Sequence, residues 1–221
     1  MKVIAVAVPK GGVGKTTTAV NLAARLSAAG QRVHLLDLDP HASATFALGS
    51  HPIQHLLTGD LVRLEGERFS LHPGGMVLAR ASAGESLSVI RHAAVGADLL
   101  VIDTQPALSS ATLAALKVAS IVIAPVEPAW LSLPALDELT AALQTIKAAS
   151  RLRIVLSRVR VVRRLTREIA GTIAGRYPGA LYPVAVPEDV RAAETLPVRD
   201  PQSKAGAAFD KLSQWLLADV T

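Results

Sequence analysis

Eight residues, Lys10-Gly11-Gly12-Val13-Gly14-Lys15-Thr16-Thr17, constrain the fold of this chain more tightly than any other stretch. They follow Val3-Ile4-Ala5-Val6-Ala7-Val8, an apolar run of strand length. They precede Ala19, Leu22, Leu26 and Ala29, whose three/four spacing predicts a helix buried on one side, with Gly30 as its stop. Glycines between a strand and a helix let successive backbone N–H groups turn inward as an anion nest, and the helix N-terminus adds partial positive charge. Lys15 is expected to reach the β- and γ-phosphates of a nucleoside triphosphate, and the Thr16 hydroxyl to ligate Mg²⁺. Gly11 to Thr17 therefore reads as a triphosphate-binding loop.

The remaining chain repeats the strand–helix rhythm. Strands are expected over 32–37, 99–103, 121–126, 154–157 and near Val184, and one or two short ones within 69–78. Helices are expected over 84–95, 109–119, 133–149, 162–176 and 203–217, with residues 41–67 irregular and holding short helical pieces. Such alternation predicts a single α/β domain over residues 1–221, a mostly parallel twisted sheet with helices on both faces. At 221 residues the chain can bury a sizeable core, and with 50% hydrophobic but only 3% aromatic residues that core is built from Ala, Val, Leu and Ile. The absence of cysteine excludes disulfides, cysteine zinc sites and cysteine-held iron–sulfur clusters. The N-terminus runs directly into a strand, so no signal peptide is expected, and no apolar stretch reaches bilayer-spanning length. His51 and His55 are four apart, but Pro52 follows the first and no third ligand is evident, so no metal site is assigned to them.

The loop departs from G-x-x-x-x-G-K-[ST] in having Pro9 where that pattern has glycine, followed by a second lysine, Lys10. This K-G-G-x-G-K-T-T arrangement resembles the deviant Walker A loop of the ParA/MinD group of dimeric ATPases. The resemblance implies that Lys10 crosses a dimer interface to the partner's nucleotide, where it stabilises charge on the transferring phosphoryl group as an arginine finger does elsewhere. The alternative for Lys10 taken alone is a solvated lysine beside an ordinary phosphate loop.

Two acidic strand ends extend the resemblance. Leu35-Leu36-Asp37-Leu38-Asp39-Pro40-His41 is similar to the group's D-x-D-P-Q segment, with His41 in place of glutamine. It implies that Asp39 orients the attacking water and that Asp37 supports Mg²⁺ through water. Leu99-Leu100-Val101-Ile102-Asp103 resembles a Walker B strand, with Asp103 holding Mg²⁺ through its water shell; Thr104-Gln105-Pro106 replaces the usual T-P-P or T-P-G. Further on, Ile123-Ala124-Pro125-Val126-Glu127-Pro128, Val186-Pro187-Glu188-Asp189-Val190-Arg191-Ala192-Ala193-Glu194 and Asp200-Pro201-Gln202-Ser203-Lys204-Ala205-Gly206-Ala207 resemble later segments of the same group. On the adenine side the group often has Asn-Arg or Asn-Lys where this chain has Ser157-Arg158. Ser157 gives one hydrogen bond where a carboxamide gives a paired donor and acceptor, so backbone near Pro187 is expected to take a larger part in base recognition.

Charge suggests a second activity. Residues 1–110 carry nine basic and eight acidic groups, whereas residues 111–221 carry fourteen and ten. Seven arginines, Arg151, Arg153, Arg158, Arg160, Arg163, Arg164 and Arg167, fall within seventeen positions. The spacing of Arg160, Arg163, Arg164 and Arg167 suits one helical face, and with Arg158 these form the candidate surface for DNA phosphates, which give salt-sensitive, largely sequence-independent affinity. The same arginines could instead form a solvated face or pair with acids. No helix-turn-helix extension precedes the ATPase core, so site-specific operator binding is not expected. In the final helix Lys211 stands against Asp210 and Asp219, which argues for packing on the sheet rather than stable membrane association.

The resemblance implies a short ParA-like partition ATPase acting in the cytoplasm on the nucleoid. ATP and Mg²⁺ would close a homodimer that binds nonspecific DNA, and hydrolysis, weak alone and stimulated by a ParB-like centromere-binding partner, would release it. Plasmid or chromosome copies would be its cargo. Two alternatives are an ATPase of MinD type that positions protein or works at a membrane, and a P-loop metabolic ligase of dethiobiotin synthetase type.

Overall fold

The computed structural model describes the whole chain except residues 56–60, 161–163, 191–195, 199, 201 and 221. Its strands are β1 Lys2–Val6, β2 Val33–Asp37, β3 Val62–Arg63, β4 Ser70–His72, β5 Leu99–Asp103, β6 Ile121–Val126, β7 Leu152–Val159 and β8 Leu181–Pro187. Its helices are α1 Lys15–Ala28, α2 Ser43–Ala47, α3 Ala83–Ala93, α4 Ser110–Val118, α5 Leu133–Thr145, α6 Arg164–Arg176 and α7 Lys204–Val220. All eight strands join one sheet in the order β3-β4-β2-β5-β1-β6-β7-β8. Every pairing is parallel except the short β3–β4 edge.

The strands are apolar on both sides because both faces are covered. Successive side chains alternate between two cores. Val3, Ala5, Leu36, Leu100, Ile102, Val122 and Ile154 pack under α3, α4, α5 and α6. Ile4, Val6, Leu35, Leu99, Val101, Ile121 and Val155 pack under α1, α2 and α7. Small alanines on α1 and α4 (Ala19, Ala23, Ala111, Ala114 and Ala115) are buried against the sheet, in keeping with the alanine-rich composition.

Several boundaries differ from expectation. β7 and β8 are longer than the apolar runs suggested, because alternate exposed residues such as Arg158, Pro183 and Ala185 are tolerated near the sheet edge. The arginine-rich helix is described over Arg164–Arg176, and Arg160 lies beyond the end of β7 and outside that helix. A helical face shared by Arg160, Arg164 and Arg167 is therefore not formed, and Arg163 lies outside the described residues. The element 186–194 is described only through Val190. No described helix is long and apolar enough to cross a membrane.

The topology places β1 at the centre, with β5 and β2 on one side and β6, β7 and β8 on the other. The glycine loop and the ends of β2, β5, β7 and β8 therefore meet along one edge, the carboxyl edge of the parallel strands, where ligands of open α/β sheets bind.

Candidate nucleotide site

The chain leaves β1 through residues 7–14 and turns into α1 on two glycines that need the left-handed region, Gly12 at φ 75° and Gly14 at φ 90°. Gly14 caps α1, which has no side-chain cap and no acid in its first turn, so the free N–H groups of its first turn are left for an anion. Lys15 is buried, and its ammonium donates to the Lys10 carbonyl at 2.6 Å, pinning the loop. Burial lowers the Lys15 pKa, while Asp103 and Asp39 oppose the shift. Lys10 points the other way. Its Nζ donates to Ser132 Oγ at 2.9 Å and to the Leu131 carbonyl at 3.3 Å of its own chain.

Asp37 and Asp103 are register partners on the neighbouring strands β2 and β5, and both are fully buried. Their hydrogen bonding is unequal. Asp37 Oδ2 accepts the Thr45 N–H at 2.8 Å and the Thr45 hydroxyl at 2.7 Å, and Oδ1 accepts the Asp39 N–H at 3.1 Å. Among the described residues neither Asp103 oxygen accepts a hydrogen bond of full geometry, although the Thr16 hydroxyl faces the carboxylate. Burial pushes the Asp37 carboxyl up to about 6 despite those donors. Burial, followed by the neighbouring Asp37, raises Asp103 well above the ordinary carboxylate range; the facing Thr16 hydroxyl and Lys15 ammonium oppose this. Asp39 is nearly buried, and its Oδ1 is held by the His41 N–H at 2.9 Å and by His41 Nδ1 at 3.0 Å.

This donor set fits a hard divalent cation. A buried carboxylate without a partner, a facing threonine hydroxyl and a second carboxylate at the same register offer oxygen ligands or partners for a metal's waters. Thr16, Asp103 and Asp37, the three residues assigned to Mg²⁺ by sequence, are thus brought together. Asp103 has both oxygens to give, whereas Asp37 has both already engaged.

On the other side of the loop lies a cleft of about 390 Å³ between Gly12, Thr18, Ser157, Pro187, Val190 and Phe209. It gathers the loop, Ser157, Arg158 and Pro187, as the sequence suggested. Ser157, however, turns its hydroxyl to the Val13 carbonyl at 2.8 Å, so its proton is committed to the loop. Arg158, at φ 51°, donates to the Gly12 carbonyl at 2.9 Å, to Glu127 at 2.9 Å and to Glu188 at 3.1 Å. Arg160 pairs with Glu188 at 2.6 Å. Arg158 and Arg160 thus belong to an ion-pair cluster beside the glycine loop, and Arg160 is not on the helix where its spacing placed it. Arg153 pairs with Asp219 at 2.6 Å, and Arg151 caps the Ala119 carbonyl at 2.9 Å. Arg164 and Arg167 remain exposed on α6, Arg164 beside Glu168.

Sequence reading missed Thr45, Ser132 and Gly74. Thr45 is eight residues beyond Asp37 with no spacing signal, and Ser132 is reached only through the fold. Gly74 sits so close to the acidic strand end that a Cβ there would lie 2.8 Å from Asp37 Cγ.

The CobQ/CobB/MinD/ParA nucleotide binding domain matches residues 4–197, and the chain belongs to that family. The chromosome-partitioning ATPase Soj of Thermus thermophilus is 33% identical over 98% of this chain and 96% of its own length. Maintenance of carboxysome distribution protein A of Gloeobacter kilaueensis is 39% identical over 72% of this chain and 63% of its own. The solved structure of cobyrinic acid a,c-diamide synthase from Mycobacterium smegmatis, with a bound ATP analogue and magnesium, superposes with a TM-score of 0.80. It is 28% identical over 98% of this chain and 94% of that one.

Proposed function

We propose that this chain is a ParA-like DNA-partition ATPase. The observation that carries the reading is the meeting of Lys15, Asp39 and the unpartnered Asp103 at one glycine loop that also bears Lys10. Similarity to Soj over nearly the full length of both chains supports the partition role. Gly11 to Thr17 hold the triphosphate, with Lys15 on its β- and γ-phosphates. Thr16 and Asp103 hold Mg²⁺, with Asp37 behind its waters, and the metal supplies charge neutralisation on the phosphates. Asp39, held by His41, orients the attacking water. Lys10 leaves Ser132 and reaches the nucleotide of a second copy, closing an ATP-dependent dimer. The dimer presents Arg164, Arg167 and Arg163 to nonspecific DNA, and hydrolysis stimulated by a ParB-like partner releases it.

Binding to a nonspecific duplex, measured without nucleotide, with ADP and with ATP over a salt series, tests this reading. ATP-dependent, salt-sensitive binding that is lost in Arg164→Glu/Arg167→Glu is expected. A Lys10→Ala protein that dimerises in ATP and turns over at the wild-type rate removes the trans-lysine step. The second reading, an ATPase that positions a protein cargo, is favoured by the 39% identity to the carboxysome distribution protein. Absence of duplex binding in every nucleotide state would make it the preferred one. The metabolic-ligase alternative requires product formation from a carboxylic acid substrate with ATP.

A further inference from the structure

Thr45 is a fully buried hydroxyl at the meeting of three segments. It lies on the five-residue helix α2, which the chain enters through Ala42 at φ 55°. Its hydroxyl proton goes to Asp37 Oδ2 at 2.7 Å, and its oxygen accepts the Gly74 N–H at 2.8 Å. The Gly74 carbonyl in turn accepts the Ile53 N–H at 2.9 Å. One hydroxyl therefore joins the end of β2, the helix α2 and the loop after β4. The hydrogen bonds run in one direction, from the Gly74 amide through Thr45 to the carboxylate, so each polarises the next. The loop closes directly on the carboxylate, with only hydrogen at Gly74 admitting the approach. Asp37 is thus fixed in orientation on both oxygens, while among the described residues its register partner Asp103 has only the facing Thr16 hydroxyl.

We infer that Thr45 is a positioning residue for the Mg²⁺ site: through Asp37 it fixes the carboxylate that receives the metal's waters, and it ties that carboxylate to the loop at Gly74. The inference rests on the Mg²⁺–ATP reading of the site. Hydrogen-bond partners of this kind around a metal change metal affinity by about 10–100-fold when removed. A serine at position 45 retains the hydroxyl, and a valine retains only the shape and the backbone N–H.

The test titrates Mg²⁺ against binding of a fluorescent ATP analogue for wild type, Thr45→Val and Thr45→Ser. It also follows hydrogen exchange of the Gly74 amide without nucleotide. Thr45→Val is expected to need about tenfold more Mg²⁺ for half-saturation and to lose protection at Gly74 by about fivefold to tenfold, the loss of one hydrogen bond. Thr45→Ser restores both readouts. If Thr45→Val fails to fold, Thr45→Ala, which brings no extra methyl against Asp37, reads the same quantities. Loss of Gly74 protection with an unchanged Mg²⁺ requirement would make Thr45 a purely structural link and overturn the inference. A wild-type protein that binds the analogue without any Mg²⁺ dependence would overturn the metal reading itself, a result visible before any Thr45 variant is made.

Discussion

Acidification should reveal a histidine cluster, with two of its three rings buried, that the nucleotide site does not use. His34 on β2, His72 on β4 and His92 on α3 lie in a row, with ring centroids 5.4 Å and 6.0 Å apart. His34 Nδ1 is 2.8 Å from the Ala93 carbonyl, while His72 Nε2 is buried without a hydrogen-bond partner among the described residues. Burial, then the charges of His34 and His92, lowers the His72 pKa from 6.5 to about 4. The folded state therefore takes up this proton less readily than the unfolded chain. Stability is lost as pH falls below 6.5, and the loss levels off below about 4. Between pH 7 and pH 5 the shift corresponds to about 2 kcal/mol, and solvent reaching the cluster past the exposed His92 reduces this to about 1–2 kcal/mol. Asp37 acts in the opposite sense. Its carboxyl is raised to about 6, so the ionisation cost is absent below the usual carboxylate range and grows as pH rises through 6. The wild-type curve mixes the two effects, but the difference between wild type and His72→Leu cancels Asp37. Urea unfolding at pH 7 and pH 5 should show wild type losing about 1–2 kcal/mol more than His72→Leu. Equal losses in the two proteins would refute the assignment.

Three further outcomes are expected. Gly74→Ala forces a Cβ to 2.8 Å from Asp37 Cγ and should cost about 1–3 kcal/mol in urea unfolding and at least about tenfold in Mg²⁺-dependent turnover. Gly84→Ala, with nothing within 4 Å, is the control that should do neither. Asp103→Asn relieves a buried, partnerless carboxylate and should raise the melting temperature of the nucleotide-free protein while abolishing the extra stabilisation by Mg²⁺ with ATP; a lowered melting temperature counts against it. Ser157→Ala removes the bond to the Val13 carbonyl and should cost about 1 kcal/mol without changing the preference for ATP over GTP, whereas a tenfold change in preference would put the hydroxyl on the base.

The parts of this site that were legible in sequence are those whose chemistry lies in contiguous residues. The glycine loop needs its glycines side by side, and the acidic strand ends follow apolar runs, so Lys15, Asp37, Asp39 and Asp103 announced themselves. Parallel strands then brought the acids to one level without any further sequence signal. The arginines were read less well because charge spacing does not reveal pairing. Arg158 and Arg160 look like part of a basic run, yet Glu127 and Glu188, thirty-one and twenty-eight residues away respectively, take them into the loop's own framework. Ser157 was expected on the adenine side because it stands where the resembled group often has asparagine. The nearby Val13 carbonyl is a competing acceptor that only the folded loop creates.

The unequal treatment of Asp37 and Asp103 gives the site its direction. Two buried carboxylates on adjacent strands repel, and Lys15 brings only one positive charge among Asp103, Asp37 and Asp39. Three hydrogen-bond donors favour the ionised form of Asp37, whereas among the described residues Asp103 is favoured in that form by the facing Thr16 hydroxyl and the Lys15 charge. Positive charge added to this site is therefore most strongly favoured beside Asp103, close to the first turn of α1, where the triphosphate would lie. A divalent cation entering with ATP offsets the repulsion that ATP alone, being an anion, would increase. Mg²⁺ with ATP should accordingly raise the melting temperature more than ATP in the presence of a chelator, and it should do so less in Asp103→Asn. Equal stabilisation by ATP with and without Mg²⁺ would mean that the carboxylate pair is balanced by protons rather than by metal.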